Sequence, residues 1–274
     1  HEPIEVPEEL VEEYAHLRNH TQEYVIDPSY DVFQKIHQNN PKYAAMVTSV
    51  DRSVGRIMET LNKRGQKENT VIILTSDNGG KSTKSIGDRK PKEIILEARK
   101  LPTSNLPLRH GKGWMYEGGI RVPLIINAQG VAPSVSLCPV TGADIFPTML
   151  ELAGLPMRPD LHRDGVSLKS EMNANNLSSR TCVDGEILRR TLIWHAGGHQ
   201  GEGGKSTGNP RATAIRKGNW KFIENHDNGD VELFDLAEDV EENNDVSMSF
   251  LQKTKNMRSE LWSLLESIQG TDVV

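Results

Sequence analysis

Four apolar residues, Val71-Ile72-Ile73-Leu74, run without a break into Thr75-Ser76-Asp77-Asn78-Gly79-Gly80, and this junction constrains the fold more than any other stretch. A continuous apolar run is what a parallel strand covered on both faces requires. Upstream, Asn40-Pro41 opens a helix, with Asn as cap and Pro in the first turn. Tyr43, Met46, Val47, Val50, Val54, Ile57, Met58 and Leu61 continue it at helical spacing, and Gly65 stops it. Helix, buried strand and polar loop at the strand's carboxyl end make the α/β pattern. Asp77 and Asn78 offer two oxygen ligands of the kind a hard cation such as calcium takes. Asx residues before glycine are also ordinary turn formers.

A second stretch, Gly111-Lys112-Gly113-Trp114-Met115-Tyr116-Glu117-Gly118-Gly119-Ile120-Arg121-Val122-Pro123, sets one lysine between two glycines. With no neighbouring Cβ in the way, the Lys112 ammonium can approach an anion closely. Glu117 and Arg121 read as a pair that holds this loop. A divalent cation and a lysine converging on one anion form the electrostatic half of a sulfuryl- or phosphoryl-transfer site.

Elsewhere the chain is punctuated by weaker signals. Residues 1–40 are polar, with a short helix expected near Glu8–Leu17. Gly80 to Arg109 is a long polar excursion carrying Lys81, Lys84, Arg89, Lys90, Lys92, Arg99 and Lys100, a length that implies function or mobility. Asp88, Glu93 and Glu97 dilute its charge, so it reads as a solvated loop. Pro123-Leu124-Ile125-Ile126 is another buried strand, and Asp144 to Ala153 a helix capped by Asp144 and stopped at Gly154. Past residue 186 the strands shorten: Leu192-Ile193-Trp194, Ala212–Arg216, Trp220–Ile223 and Glu232–Phe234, with Asn228-Gly229 a hairpin signal between the last two. A final amphipathic helix spans Leu251–Ile268. The acidic run Glu238 to Asp245 reads as a solvated turn.

Composition narrows the class. A hydrophobic content of 36% and charged content of 26% fit a soluble globular chain. The formal charge of −6 argues against general nucleic-acid binding. No apolar run approaches the roughly 20 residues of a membrane-spanning helix. Cys138 and Cys182 either pair or stand as separate thiols. Asn19-His20-Thr21 and Asn176-Leu177-Ser178 match the N-glycosylation pattern and permit a secretory location.

Together the two motifs resemble the type I, formylglycine-dependent sulfatases of the alkaline phosphatase superfamily. His1-Glu2-Pro3-Ile4-Glu5-Val6-Pro7-Glu8-Glu9-Leu10 resembles that family's His-x-Pro segment, and Tyr43 to Leu61 its long helix before the metal strand. Thr103 to Arg109 resembles the lead-in to the lysine motif. Asp144 to Leu150 and Asp164-Gly165-Val166-Ser167-Leu168 resemble later landmarks, all in family order. The family's nucleophile segment, Cys-x-Pro-Ser-Arg, is not here: Cys138 precedes Pro-Val-Thr-Gly and Cys182 precedes Val-Asp-Gly-Glu. Two further metal-binding aspartates of the family have no counterpart either. The expectation is the C-terminal portion of a longer sulfatase, inactive by itself.

The resemblance implies an α/β fold with a mostly parallel sheet sandwiched by helices, alkaline-phosphatase-like and incomplete at the N-terminus. Residues 1–185 would be the C-terminal part of the catalytic domain. Residues 186–274 would form a small subdomain, an antiparallel sheet plus a helix. It implies one calcium ion on Asp77 and Asn78, sulfate contacts from Lys112 and His1, and a formylglycine supplied by the missing part. His195 and His199 fall where related sulfatases carry substrate-facing loops. The implied substrate is a sulfated small molecule or sulfated glycan, in a secreted, periplasmic or lysosomal setting. Two rivals stand beside it: a phosphodiesterase or phosphonate hydrolase of the same superfamily, and a catalytically dead protein that binds sulfated glycans.

Overall fold

The computed structural model describes residues 3–17, 19–172, 182, 184–196 and 210–269. Helix α1 (Glu8–Glu12) leads to strands β1 (Tyr24–Asp27) and β2 (Val32–Lys35), which the polar composition of residues 1–40 conceals. Helix α2 (Pro41–Lys63) starts as its sequence dictates, with the Asn40 side chain accepting from the Lys42 and Tyr43 amides. Gly65 ends it at φ 65°, a value only glycine adopts freely. Its apolar stripe lies open, Val50 being 54% and Ile57 58% exposed.

Strand β3 (Ile72–Thr75) follows, then β4 (Thr83–Ser85) and helix α3 (Pro91–Lys100). The stretch from Gly80 to Arg109 is therefore structured rather than a solvated loop. Strand β4 pairs with β2, and Ile94, Ala98 and Leu101 pack on Phe33. These apolar residues are too few to outweigh the surrounding charge in a sequence reading. Next come helix α4 (Glu117–Ile120), strand β5 (Leu124–Asn127) and helices α5 (Ile145–Leu152), α6 (Lys169–Met172) and α7 (Gly185–Arg189).

Strands β3 and β5 pair antiparallel, Thr75 opposite Leu124. The parallel partnership expected of β3 does not occur among the described residues. The physical reason is the connection: it leaves β3 and enters β5 at the same end of the pair, so the returning strand must run the opposite way. Ile125 of this pair is 58% exposed.

Asp144 stands at the N-cap position of α5, but its side chain makes no capping hydrogen bond to that helix. Its carboxylate, fully buried, instead accepts from the Thr141 and Val166 amides and pairs with Arg190. Cys138 and Cys182 form a disulfide.

Strands β6 (Thr191–Ala196), β7 (Ala212–Lys217), β8 (Trp220–Asn225) and β9 (Val231–Asp235) make a four-stranded antiparallel sheet in sequence order. Asn228-Gly229 lies in the β8–β9 turn, with Gly229 at φ 77°. One sheet face carries Ala212, Ala214, Ile223 and Phe234 against Trp114 and Tyr116. The other carries Ile215, Phe222 and Leu233 against Met257, Leu261 and Leu265 of helix α8 (Leu251–Gln269). This alternation is the period-2 geometry of a strand buried on both faces. Among the described residues no helix is long and apolar enough to cross a membrane.

Candidate active site

Glycines determine how the site closes. The Gly79 amide donates to Gly119 O at 2.9 Å, and the Lys112 amide to Gly80 O at 3.1 Å. A Cβ at Gly79 would lie 1.8 Å from the Gly118 carbonyl oxygen, and one at Gly118 would lie 2.3 Å from the Arg109 and His110 oxygens. Only residues without a side chain allow these backbones to meet. Asn105 secures the junction, its amide donating to Gly80 O, Ser82 Oγ and His110 O. The turn after β3 and the Gly111–Gly119 loop thus form one unit.

Asp77 stands exposed on that unit, and among the described residues nothing hydrogen-bonds or pairs with its carboxylate. The Asn78 amide nitrogen donates to Gly79 O at 2.9 Å, leaving its side-chain oxygen available. Ser76 Oγ ties the turn by donating to Asn78 O. Asp77 also borders a cavity of about 1130 Å³, with Arg121, Trp194 and Arg216 on its wall. Two hard oxygens held by a braced turn, unclaimed by protein partners, fit part of a calcium shell.

Lys112 is half-buried, and no acid pairs with it among the described residues. The loop that carries it is anchored three times. The buried Trp114 indole donates to Thr83 Oγ1 at 3.0 Å. Tyr116 hydrogen-bonds through its hydroxyl to Glu232. Glu117 accepts from Lys221 Nζ at 2.9 Å, with Arg121 at 3.5 Å and Arg216 at 3.8 Å. Burial pushes the Glu117 carboxyl up, but Lys221, Arg216 and Arg121 outweigh it and hold the group below its ordinary value.

Behind the loop sits a second charged cluster. Arg109 donates to Asp27 at 2.8 Å and Glu232 at 3.3 Å, and its guanidinium lies 4.1 Å from the centre of the Tyr116 ring. Burial depresses the His110 imidazole, although Asp27 lies 3.2 Å away. The acidic run that reads as a solvated turn contains an exception: Glu242 is 0% exposed and lies 2.7 Å from Lys221. Burial, its dominant influence, pushes that carboxyl up to about 7.

The sulfatase family model matches residues 1–155, more than half of the chain. The chain belongs to the sulfatase family. Among curated sulfatases it is 28% identical to arylsulfatase K of Bos taurus over 81% of this chain and 36% of that protein. It is 32% identical to a sulfatase of Formosa agariphila, over 73% of this chain and 34% of that one. It therefore spans about a third of the length of these relatives. Among solved structures, Ps i-CgsB in complex with k-i-k-neocarrahexaose superposes with a TM-score of 0.66 at 25% identity, over 96% of this chain and 47% of that chain. The sulfatase neighbours carry the alkaline-phosphatase-like fold that the motifs imply.

In this sulfatase chain the structure brings Asp77, Asn78 and Lys112 together at one junction. His1 and His199 lie outside the described residues. His195 stands elsewhere, exposed on β6, with its Nδ1 2.7 Å from Thr213 Oγ1. Its neighbour Trp194 takes the opposite face and the cavity wall. Sequence reading missed Lys221, Arg216 and Glu242. A signal existed for the first two: the tight turn Gly218-Asn219 sets Arg216 opposite Lys221 on adjacent strands, a cation pair that demands an acid.

Proposed function

We propose that this chain supplies the metal-binding turn and the sulfate-contacting lysine of a sulfuric ester hydrolase acting on sulfated small molecules or glycans. The observation that carries this reading is the stitching of the Asp77-Asn78 turn to the Lys112 loop through Gly79–Gly119 and Gly80–Lys112 hydrogen bonds. Asp77 and the Asn78 side-chain oxygen would hold calcium, together with ligands from outside the described residues. A bound calcium supplies positive charge beside the ester. Lys112 places its ammonium against the sulfuryl oxygens, countering the charge that grows as the ester bond breaks. His1 takes the sulfate-contacting role that the His-x-Pro resemblance implies, and His199 a substrate-facing one. His195 is assigned none, because it contacts Thr213 on the sheet face away from Trp194 and the cavity wall.

Both cysteines are tied in the Cys138–Cys182 disulfide, so a formylglycine would come from outside residues 1–274. That bond also supports an oxidising compartment, secreted, periplasmic or lysosomal. A sulfated glycan as substrate gains support from the neighbour solved with k-i-k-neocarrahexaose. We divide the chain into a catalytic part, 1–185, and a small subdomain, 186–274; the closed set of ladders from β6 to β9 supports that boundary.

The test is sulfate release by the full-length protein from an aryl sulfate and a sulfated oligosaccharide, with and without a calcium chelator. Lys112→Ala should lower kcat by about 10²–10³-fold, the loss typical of one stabilising group in such a site. A full-length protein that cleaves phosphate esters but no sulfate ester rejects the reading.

A further inference from the structure

Arg216 and Lys221 sit directly opposite each other on β7 and β8. Like charges at such positions repel, and a lysine with 0% exposure is tolerable only when paired. The answering carboxyl groups come from outside these two strands. One is Glu117, at the end of the lysine motif; the other is Glu242, beyond β9. Glu242 also accepts from the Glu117 amide at 2.6 Å, and its own carbonyl takes Arg109 at 3.2 Å. It holds φ at 57°, a left-handed conformation that non-glycine residues rarely adopt without compensation. Glu117 is therefore gripped at both backbone and side chain. Five residues earlier, the Lys112 amide is fixed to Gly80 O. Between these anchors Trp114 and Tyr116 are immobilised by Thr83 and Glu232.

We propose that Lys221 and Glu242 are positioning residues for Lys112: through Glu117 they fix the far end of the lysine loop and so set where the ammonium stands relative to Asp77 and Asn78. This rests on the reading of Lys112 as the sulfate-contacting lysine. Both act through Glu117 alone: Glu242 holds its backbone amide and Lys221 its carboxylate. The small subdomain thereby becomes part of the catalytic apparatus rather than an appendage.

A double-mutant cycle in the full-length protein separates positioning from plain structural support. Lys221→Met should lower kcat for an aryl sulfate by about 10- to 100-fold, the penalty for displacing a reacting group by about an ångström, with KM changed far less. In a Lys112→Ala background the same substitution should cause no further loss. Equal losses in both backgrounds overturn the proposal. Should Lys221→Met fail to fold, Glu242→Gln keeps the shape and enters the same cycle. Amide hydrogen exchange gives a readout independent of turnover: Glu242→Gln should speed exchange across 111–119 while sparing Ile72–Thr75. Unchanged exchange at 111–119 overturns the coupling. A wild-type protein that releases no sulfate sinks the sulfatase reading alone, and the exchange measurement still decides the coupling.

Discussion

Arg190 grips Asp144 with two guanidinium nitrogens, its Nη2 lying 2.6 Å from Asp144 Oδ2 while Nη1 reaches Oδ1. The pair joins the start of β6 to the turn before α5, and the same carboxylate receives the Val166 amide. Asp144 has no exposure, so removing one partner strands a buried charge. Arg190→Met should cost about 3 kcal/mol of stability, in the range for breaking a buried pair. Pairing it with Asp144→Leu should recover part of the loss. Urea unfolding of the three variants checks this, and a neutral single variant contradicts it.

The Cys138–Cys182 bond closes a separation of 44 residues. Chain-entropy arguments give a loop of that length about 4 kcal/mol of stabilisation. Reduction, or the Cys138→Ser/Cys182→Ser pair, should lower the melting temperature by several degrees. Equal melting curves with and without reductant would show that the bond constrains little.

Gly79→Ala sets a methyl group 1.8 Å from a backbone oxygen that cannot swing aside. The two loops must part, at a cost of about 1–3 kcal/mol typical of overpacking. The expected outcome is a lower melting temperature together with weakened calcium binding, read by calorimetry. Gly130→Ala is the control: nothing lies near its Cβ position, and its φ of 76° should give a small stability loss with calcium binding intact.

Glu242 imposes a pH dependence. Burial raises its carboxyl from 4.5 to about 7, so between those values the folded protein holds a proton that the unfolded chain has released. Stability from this group is therefore present near the lower end of the window and falls as pH rises through it. Glu242→Gln should lose that slope. Unfolding free energies of both proteins at pH about 5 and about 8 decide the matter; parallel profiles reject it.

Much of the candidate site was legible because its motifs are local. Asn40 and Gly65 bound their own helix, and neighbouring glycines mark the Asp77-Asn78 turn and Lys112. The partners of Glu117 were not legible, because Lys221 and Glu242 stand 104 and 125 residues away. A buried lysine in Trp220-Lys221-Phe222 looks like any amphipathic strand until the register is known. A separation of 46 residues likewise hid the partner of Asp144, which stands at a helix start but gives its carboxylate to Arg190. Strands β1, β2 and β4 were missed for a different reason, since each is four residues or fewer and carries polar side chains.

The 125 residues between Glu117 and Glu242 also set a clock. At roughly 5–20 residues per second, a ribosome needs about 6–25 s to make Glu242 after Glu117. Through that interval the lysine loop has emerged without its final clasp, its glutamate still hydrated. The clasp on Glu117 is thus deferred until Glu242 has been translated.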